Sequence, residues 1–162
     1  MSKEKHSLVW PILAAVMGLL ALVFMALDFV DVTVTSSGVF VVSGSATGYT
    51  FATAGWTFQG TTIAPQKILF AIALGGVFGI LWGLRPVLFP SQMRNERIFG
   101  ILVLIGGLLV ALVGASFYAS AGIGTLQEII FTITTSAGIG LWGVLISGIL
   151  EIVFGVLMIL KK

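Results

Sequence analysis

The sequence predicts an all-α membrane protein: a four-transmembrane-helix bundle with a small antiparallel β-sheet built from two external loops. Three observations predict it. Four apolar runs, at residues 8–27, 68–84, 98–118 and 139–160, each approach the ~20 residues that cross ~30 Å of hydrocarbon. Of the eight lysines and arginines, seven fall on one side of those runs. The two connections on the other side, 28–67 and 119–138, are rich in β-branched and aromatic residues and poor in charge.

The basic residues set the orientation. Lys3 and Lys5 precede the first run, Arg85, Arg94 and Arg97 lie between the second and third, and Lys161 and Lys162 follow the fourth. Only Lys67 lies on the opposite side. Basic loops are retained in the cytoplasm during insertion, so the expected topology is a multi-pass cell-membrane protein with both termini cytoplasmic. The first run is longer than the roughly 7–15 residues of a secretory signal core, and it reads as an uncleaved span. Trp10, Trp82, Tyr118 and Trp142 stand near run ends, where amphipathic rings favour the interface. Pro11 falls in a first helical turn, where it breaks no bond. The connection 85–97 holds Pro86 and Pro90 and reads as a short turn along the membrane surface.

The first external loop contains alternating Val30-Asp31-Val32-Thr33-Val34-Thr35, a strand pattern. Further strand candidates are Gly38 to Val42, Tyr49 to Thr53 and Trp56-Thr57-Phe58, with Ser36-Ser37-Gly38 and Ser43-Gly44-Ser45 as turns. In the second loop Ile129 to Thr134 reads the same way, and five strands could form one sheet. Sheet edges are normally guarded by lysine, proline or bulges. Few such guards occur here, so Val39, Phe40, Val41, Phe51, Trp56, Phe58, Ile130 and Phe131 are the candidate external assembly surface.

A faint echo links the two halves. Gly18-Leu19-Leu20 resembles Gly107-Leu108-Leu109, and Leu81-Trp82-Gly83 resembles Leu141-Trp142-Gly143, as a duplicated helix–loop–helix would produce.

Small residues recur every fourth position in three runs. Ala71, Gly75, Gly79 and Gly83 form one stripe; Gly107, Ala111, Ala115 and Ala119 form a second; Gly143, Ser147, Glu151 and Gly155 form a third. Such stripes let helix backbones approach closely in lipid, within one bundle or between subunits. Glu151 is the one acid deep inside a run, ~14 Å from its end at ~1.5 Å per residue. An ionised carboxylate there costs on the order of 3 kcal/mol by insertion scales. It is therefore a polar lock between helices, an ion or proton site, or a contact with a partner subunit. Arg85 and Arg97 are the cations that could reach it. Ser116 and Ser147 are the only further polar groups the spans offer, too few for a relay.

Composition excludes several classes. With 58% hydrophobic and 9% charged residues the chain is no ordinary soluble globule. There is no cysteine, which removes disulfides and thiolate chemistry, and the single histidine, His6, cannot build a histidine metal centre. No glycine-rich phosphate loop follows a strand, and no basic stripe suggests nucleic acid. Asp28, Asp31 and Glu128 could gather round a cation, although solvated loop charge is the reading favoured for them. The expected chain is non-enzymatic, without cofactor or metal, and its partners are the lipid bilayer together with its own copies or other membrane subunits. The readings left open are an assembling structural protein, an ion- or proton-coupled transport subunit using Glu151, and an accessory subunit of a membrane enzyme complex.

The layout of tail, span, long β-rich loop with Gly55-Trp56, span, basic turn, span, shorter loop and span resembles the claudin-like tetraspan membrane proteins. The family's Gly-Leu-Trp is absent from the first loop here, Gly140-Leu141-Trp142 lying in the fourth run, and its cysteine pair is missing. The resemblance implies a protein that assembles side by side or across cell surfaces through its external sheet.

Overall fold

A computed structural model describes residues 8–36, 41–58, 61–89, 96–121, 123–127 and 131–160. In chain order the elements are α1 (Val9–Met25), β1 (Asp28–Ser36), β2 (Val41–Thr47), α2 (Gly48–Thr53), β3 (Trp56–Phe58) and β4 (Thr61–Ile63). A 3-10 turn (Lys67–Leu69) then leads into α3 (Phe70–Leu88), followed by α4 (Glu96–Ser120), β5 (Gly124–Gln127), β6 (Phe131–Ala137) and α5 (Ile139–Leu160).

Three helical segments, Lys67–Leu88, Arg97–Ser120 and Ile139–Leu160, are long and apolar enough to cross a membrane. The first apolar run falls short of its expected extent. α1 has 17 residues, about 25 Å at 1.5 Å per residue. It stops at Met25 because Ala26 and Leu27 donate to Val23 and Phe24 in a closing turn, and Asp28 already opens β1. At the other end of the second run the helix outlasts the expected boundary at residue 84. α3 continues to Leu88 with Pro86 inside its last turns, so the predicted surface turn begins later than residue 85.

The long helices pack in a ring, α1 beside α3, α3 beside α4, α4 beside α5 and α5 beside α1. α1 and α4 are thus diagonal, as are α3 and α5. A duplicated hairpin would give this ring. The sheet does not follow: its order is β2-β1-β6-β5, so the equivalent strands β1 and β5 are one central and one at an edge.

All neighbours in this sheet are antiparallel, and β1 and β6, one from each connection, form its middle. The period-2 pattern acts as expected on β1. Val30 and Val32 are buried and Val34 packs against the same core, while Asp31 and Thr33 are half-buried and Thr35 is exposed. A register shift between Asp28 and Val30 lets Phe29 and Val30 both be buried, which strict alternation forbids.

Three strand expectations need correction. Tyr49 to Thr53 lies in helix α2, not in a strand. Thr47 caps it, its Oγ1 accepting from the Thr50 N–H at 3.1 Å, and the turn buries Phe51 and Ala52. Ser43-Gly44-Ser45 is not a turn but the middle of β2. Gly44 lies opposite Val32, and a methyl group on it would sit 2.5 Å from the Phe58 ring, so the missing side chain makes room for that ring. Finally, the described strands do not form a single five-stranded sheet. Trp56-Thr57-Phe58 pairs with β4 as a separate ribbon, entered through Gly55 at φ 72°, a conformation glycine adopts without strain. Of the expected strand Gly38 to Val42, only 41 and 42 belong to the described residues.

Two apolar clusters hold the fold. The larger joins sheet to helices: Phe29, Val32, Phe51, Leu69, Phe117 and Leu141 are among its buried members. The smaller, at the opposite end of the bundle, gathers Ala14, Phe99, Val103 and Met158 under Trp10, Trp82 and Phe154. Between the clusters the helices meet through glycine.

Candidate functional site: a buried carboxyl among glycines

The middle of the bundle is built from close backbone contacts. A methyl group at Gly76 would stand 2.7 Å from the Gly18 carbonyl oxygen, and one at Gly75 would stand 2.5 Å from that of Gly106. Between α4 and α5, a methyl at Gly107 would lie 2.7 Å from the Ile152 nitrogen and one at Gly148 2.7 Å from the Ala111 nitrogen. Helices this close need the small faces that sequence spacing reveals.

The three expected stripes fare differently. On α3, Gly75, Gly79 and Gly83 are all buried, and Ala71 is half-buried. On α5, Gly143, Ser147, Glu151 and Gly155 are buried together. On α4 the stripe is corrected: Gly107 is buried and Ala111 half-buried, but Ala115 and Ala119 are exposed. A four-residue step overshoots a helical turn by about 40°; on α5 the drifting row stays within a broad buried face that also holds Val144 and Gly148, whereas on α4 it has left the interface by Ala115. The buried face of α4 instead mixes steps of three and four, through Val103, Gly106, Gly107, Val110, Gly114 and Phe117.

Glu151 occupies the centre. It is 0% exposed, and neither carboxyl oxygen has a hydrogen-bond partner among the described residues. Its side chain reaches from α5 across the bundle to the diagonal helix α3. A methyl at Gly79 would collide with Glu151 Oε1 and lie 2.8 Å from its Cδ; one at Gly106 would lie 2.8 Å from Oε1. These glycines are therefore the walls of a slot the width of one carboxyl group. Sequence spacing singled out Gly79 and missed Gly106, which is off the four-residue stripe of α4.

Neither expected cation is bonded to this carboxyl. The Arg85 guanidinium carbon lies 5.3 Å from the Trp82 ring centroid and 5.8 Å from that of Phe99, at the end of the bundle away from the sheet. Arg97 is exposed. Of the two serines, Ser147 is buried one turn from Glu151, whereas Ser116 is exposed and donates to the Leu112 carbonyl at 2.8 Å.

Of the eight residues expected on the external surface, three have described side chains, Phe51, Trp56 and Phe58. Phe51 is 1% exposed and stands edge-on to Phe117 with centroids 5.0 Å apart, so it belongs to the core and not to an assembly surface. Trp56 and Phe58 stack at 5.3 Å and are half-buried beneath the sheet. Val39, Phe40, Ile130 and Glu128, and the side chains of Val41 and Phe131, lie outside the described residues.

Among the described residues no group of three or more histidine, aspartate or glutamate side chains is placed to hold a metal. Asp31 holds its proton above the usual 3.8, first through partial burial and then through the neighbouring charge of Asp28. A raised value means the folded chain keeps a proton that the unfolded chain has lost. This contribution is therefore full below about pH 3.8 and is lost as pH rises through the folded value. Asp31→Asn is expected to remove that decline and raise the melting temperature at neutral pH, with little effect in acid. Thermal melts in detergent across the acidic range check it, and an unchanged pH profile would contradict it.

No protein-family model and no curated protein matches the chain.

Proposed function

We propose that the chain is a four-span cell-membrane protein with cytoplasmic termini, and that it works as a non-enzymatic structural protein assembling through the edge of an external β-layer. Support for the fourth span comes from the ring: α1 packs beside α3 and α5, and it presents Val9, Ile12, Val16, Leu19 and Val23 outward as an apolar stripe. The neighbouring helices carry similar stripes, such as Leu74, Val77 and Leu81 on α3 and Ile146, Ile149 and Val153 on α5. In lipid a helix a few ångströms short is accommodated by local thinning of the bilayer. The uneven distribution of basic residues supports the orientation.

One observation carries the assembly reading: β2 is a seven-residue edge strand, Val-Val-Ser-Gly-Ser-Ala-Thr, with neither charge nor proline. Val42, Ser43 and Ser45 on it are exposed. Unguarded edges present free backbone donors and acceptors that pair with another strand. A second copy offers the same strand, and antiparallel pairing of β2 with its twin satisfies a two-fold interface. This is the mode of association that the resemblance to claudin-like tetraspan proteins also suggests.

The test exploits the absence of cysteine. Single cysteines at Ser43 and Ser45, mixed in native membranes and treated with a short thiol crosslinker, are expected to give dimers, whereas one at exposed Thr57 on β3 is not. Ser43→Lys with Ser45→Lys is expected to abolish the association by placing like charges at the edge. A particle that stays monomeric in mild detergent and yields no β2 crosslink in its membrane overturns the reading.

A further inference from the structure

We propose that Glu151 and the glycines around it form a proton-binding site, whose occupancy controls the contact between α5 and the helices α3 and α4. The inference is independent of the assembly reading. It rests on the slot and on the orphaned carboxyl that fills it.

A carboxyl group with both oxygens buried and unpartnered lacks a ligand. The crowding beside Oε1 favours the smallest ligand. At neither Gly79 nor Gly106 is there space for a methyl group beside Oε1. A metal cation with several oxygen ligands needs far more room. A proton needs none. Once bound, it makes the carboxyl a donor, and an acceptor is at hand. The Gly75 carbonyl oxygen and Glu151 Oε1 would each lie 2.8 Å from the same methyl at Gly106, so they are separated by no more than twice that distance. In the proposed protonated state the side chain turns its O–H toward this oxygen, a contact not made in the structure. Backbone carbonyls keep a second lone pair when one is engaged in the helix.

Charged groups on the surrounding elements leave the site to the proton. α1 contains no ionisable residue, and α5 has only Glu151. On α3 the sole ionisable group is Arg85, six residues beyond Gly79 and about 9 Å along the axis. On α4 the ionisable groups are Glu96, Arg97 and Tyr118, at the two helix ends and roughly 14 Å or more from Gly106.

Loss of the proton reverses the contact. An ionised carboxylate in this slot accepts no hydrogen bond from the described residues, and water must then enter to solvate it. Entry of water separates α5 from the glycine faces of α3 and α4. The proton leaves to water and returns from it, and no other bond is made or broken.

The experiment uses the full chain in phospholipid vesicles, followed by infrared spectroscopy and hydrogen–deuterium exchange as pH is raised. A protonated carboxyl C=O band is expected in the wild type and absent from Glu151→Gln. It should disappear at high pH together with a rise in exchange at residues 75–79 and 147–151, a rise missing in the Gln variant. Should that variant fail to fold, wild-type chain carrying 13C-carboxyl glutamate assigns the band by its isotope shift. A band absent at every pH overturns the proposal in favour of a permanently ionised group. A band that persists wherever the fold survives, with exchange unchanged, overturns it in favour of a fixed lock.

Discussion

Gly79→Leu is expected to prevent the bundle from closing, at a cost of more than about 3 kcal/mol, and Gly79→Ala to cost about 1–3 kcal/mol. Alanine is the better helix former by up to ~1 kcal/mol, so helix propensity alone predicts the opposite sign. Packing decides the matter. The new methyl would collide with Glu151 Oε1, and Gly18 Cα on α1 would stand 3.1 Å away on its other side. One obstacle is a side chain that can be shortened, the other a backbone that cannot move without shifting its helix. The combination Gly79→Ala with Glu151→Ala is therefore expected to be more stable than the sum of the single changes predicts, by about 0.5–3 kcal/mol of coupling. Reversible unfolding in mixed detergent measures all three variants. Strict additivity would show that the methyl and the carboxyl do not share the slot.

The same residues show what the sequence reveals and what it conceals. α3, α4 and α5 were legible because an apolar run of spanning length has few alternatives, and the alternation in β1 was legible because the strand buries one face. The α5 stripe through Glu151 was also legible, since Gly143, Ser147 and Gly155 share its face. What could not be read was the receiving wall. Gly106 lines the slot only because α4 sits between α3 and α5, and that ring order is a property of the whole bundle. Tyr49 to Thr53 misled for a related reason. Its composition favours a strand, but the Thr47 cap and the burial of Phe51 against Phe117 favour a helical turn, and tertiary packing overrides a weak propensity. Gly44 misled because a glycine between two serines normally marks a turn, whereas here it clears space for an aromatic ring from another ribbon.

Phe29→Ala is expected to cost about 3–5 kcal/mol and to loosen the sheet from the helices while leaving the helices formed. The side chain is 0% exposed and meets Phe117 of α4 edge-on with centroids 5.7 Å apart. Its ring also fills the space above Gly48, where a methyl would stand 2.7 Å from it. Its backbone is committed as well, since the Phe29 carbonyl accepts from the Gly138 N–H at 2.9 Å just before α5 begins. Phe29 thus meets α4 through its ring and the residue before α5 through its backbone carbonyl, in the cluster where Val30 and Val32 of β1 are also buried with Leu141 and Val144 of α5. Removing the ring leaves a cavity at that joint, whose far wall, Phe51 and Phe117, is held by α2 and α4. The glycine contacts deeper in the bundle, such as Gly18 with Gly76 and Gly107 with Ile152, do not involve Phe29. Far-ultraviolet circular dichroism should therefore retain its helical signal, while amide exchange in β1 and β6 accelerates and the emission of Trp56, packed against Phe51, shifts. Equal loss of protection in α4 and α5 would mean that sheet and bundle unfold as one unit, and that Phe29 is not the joint between them.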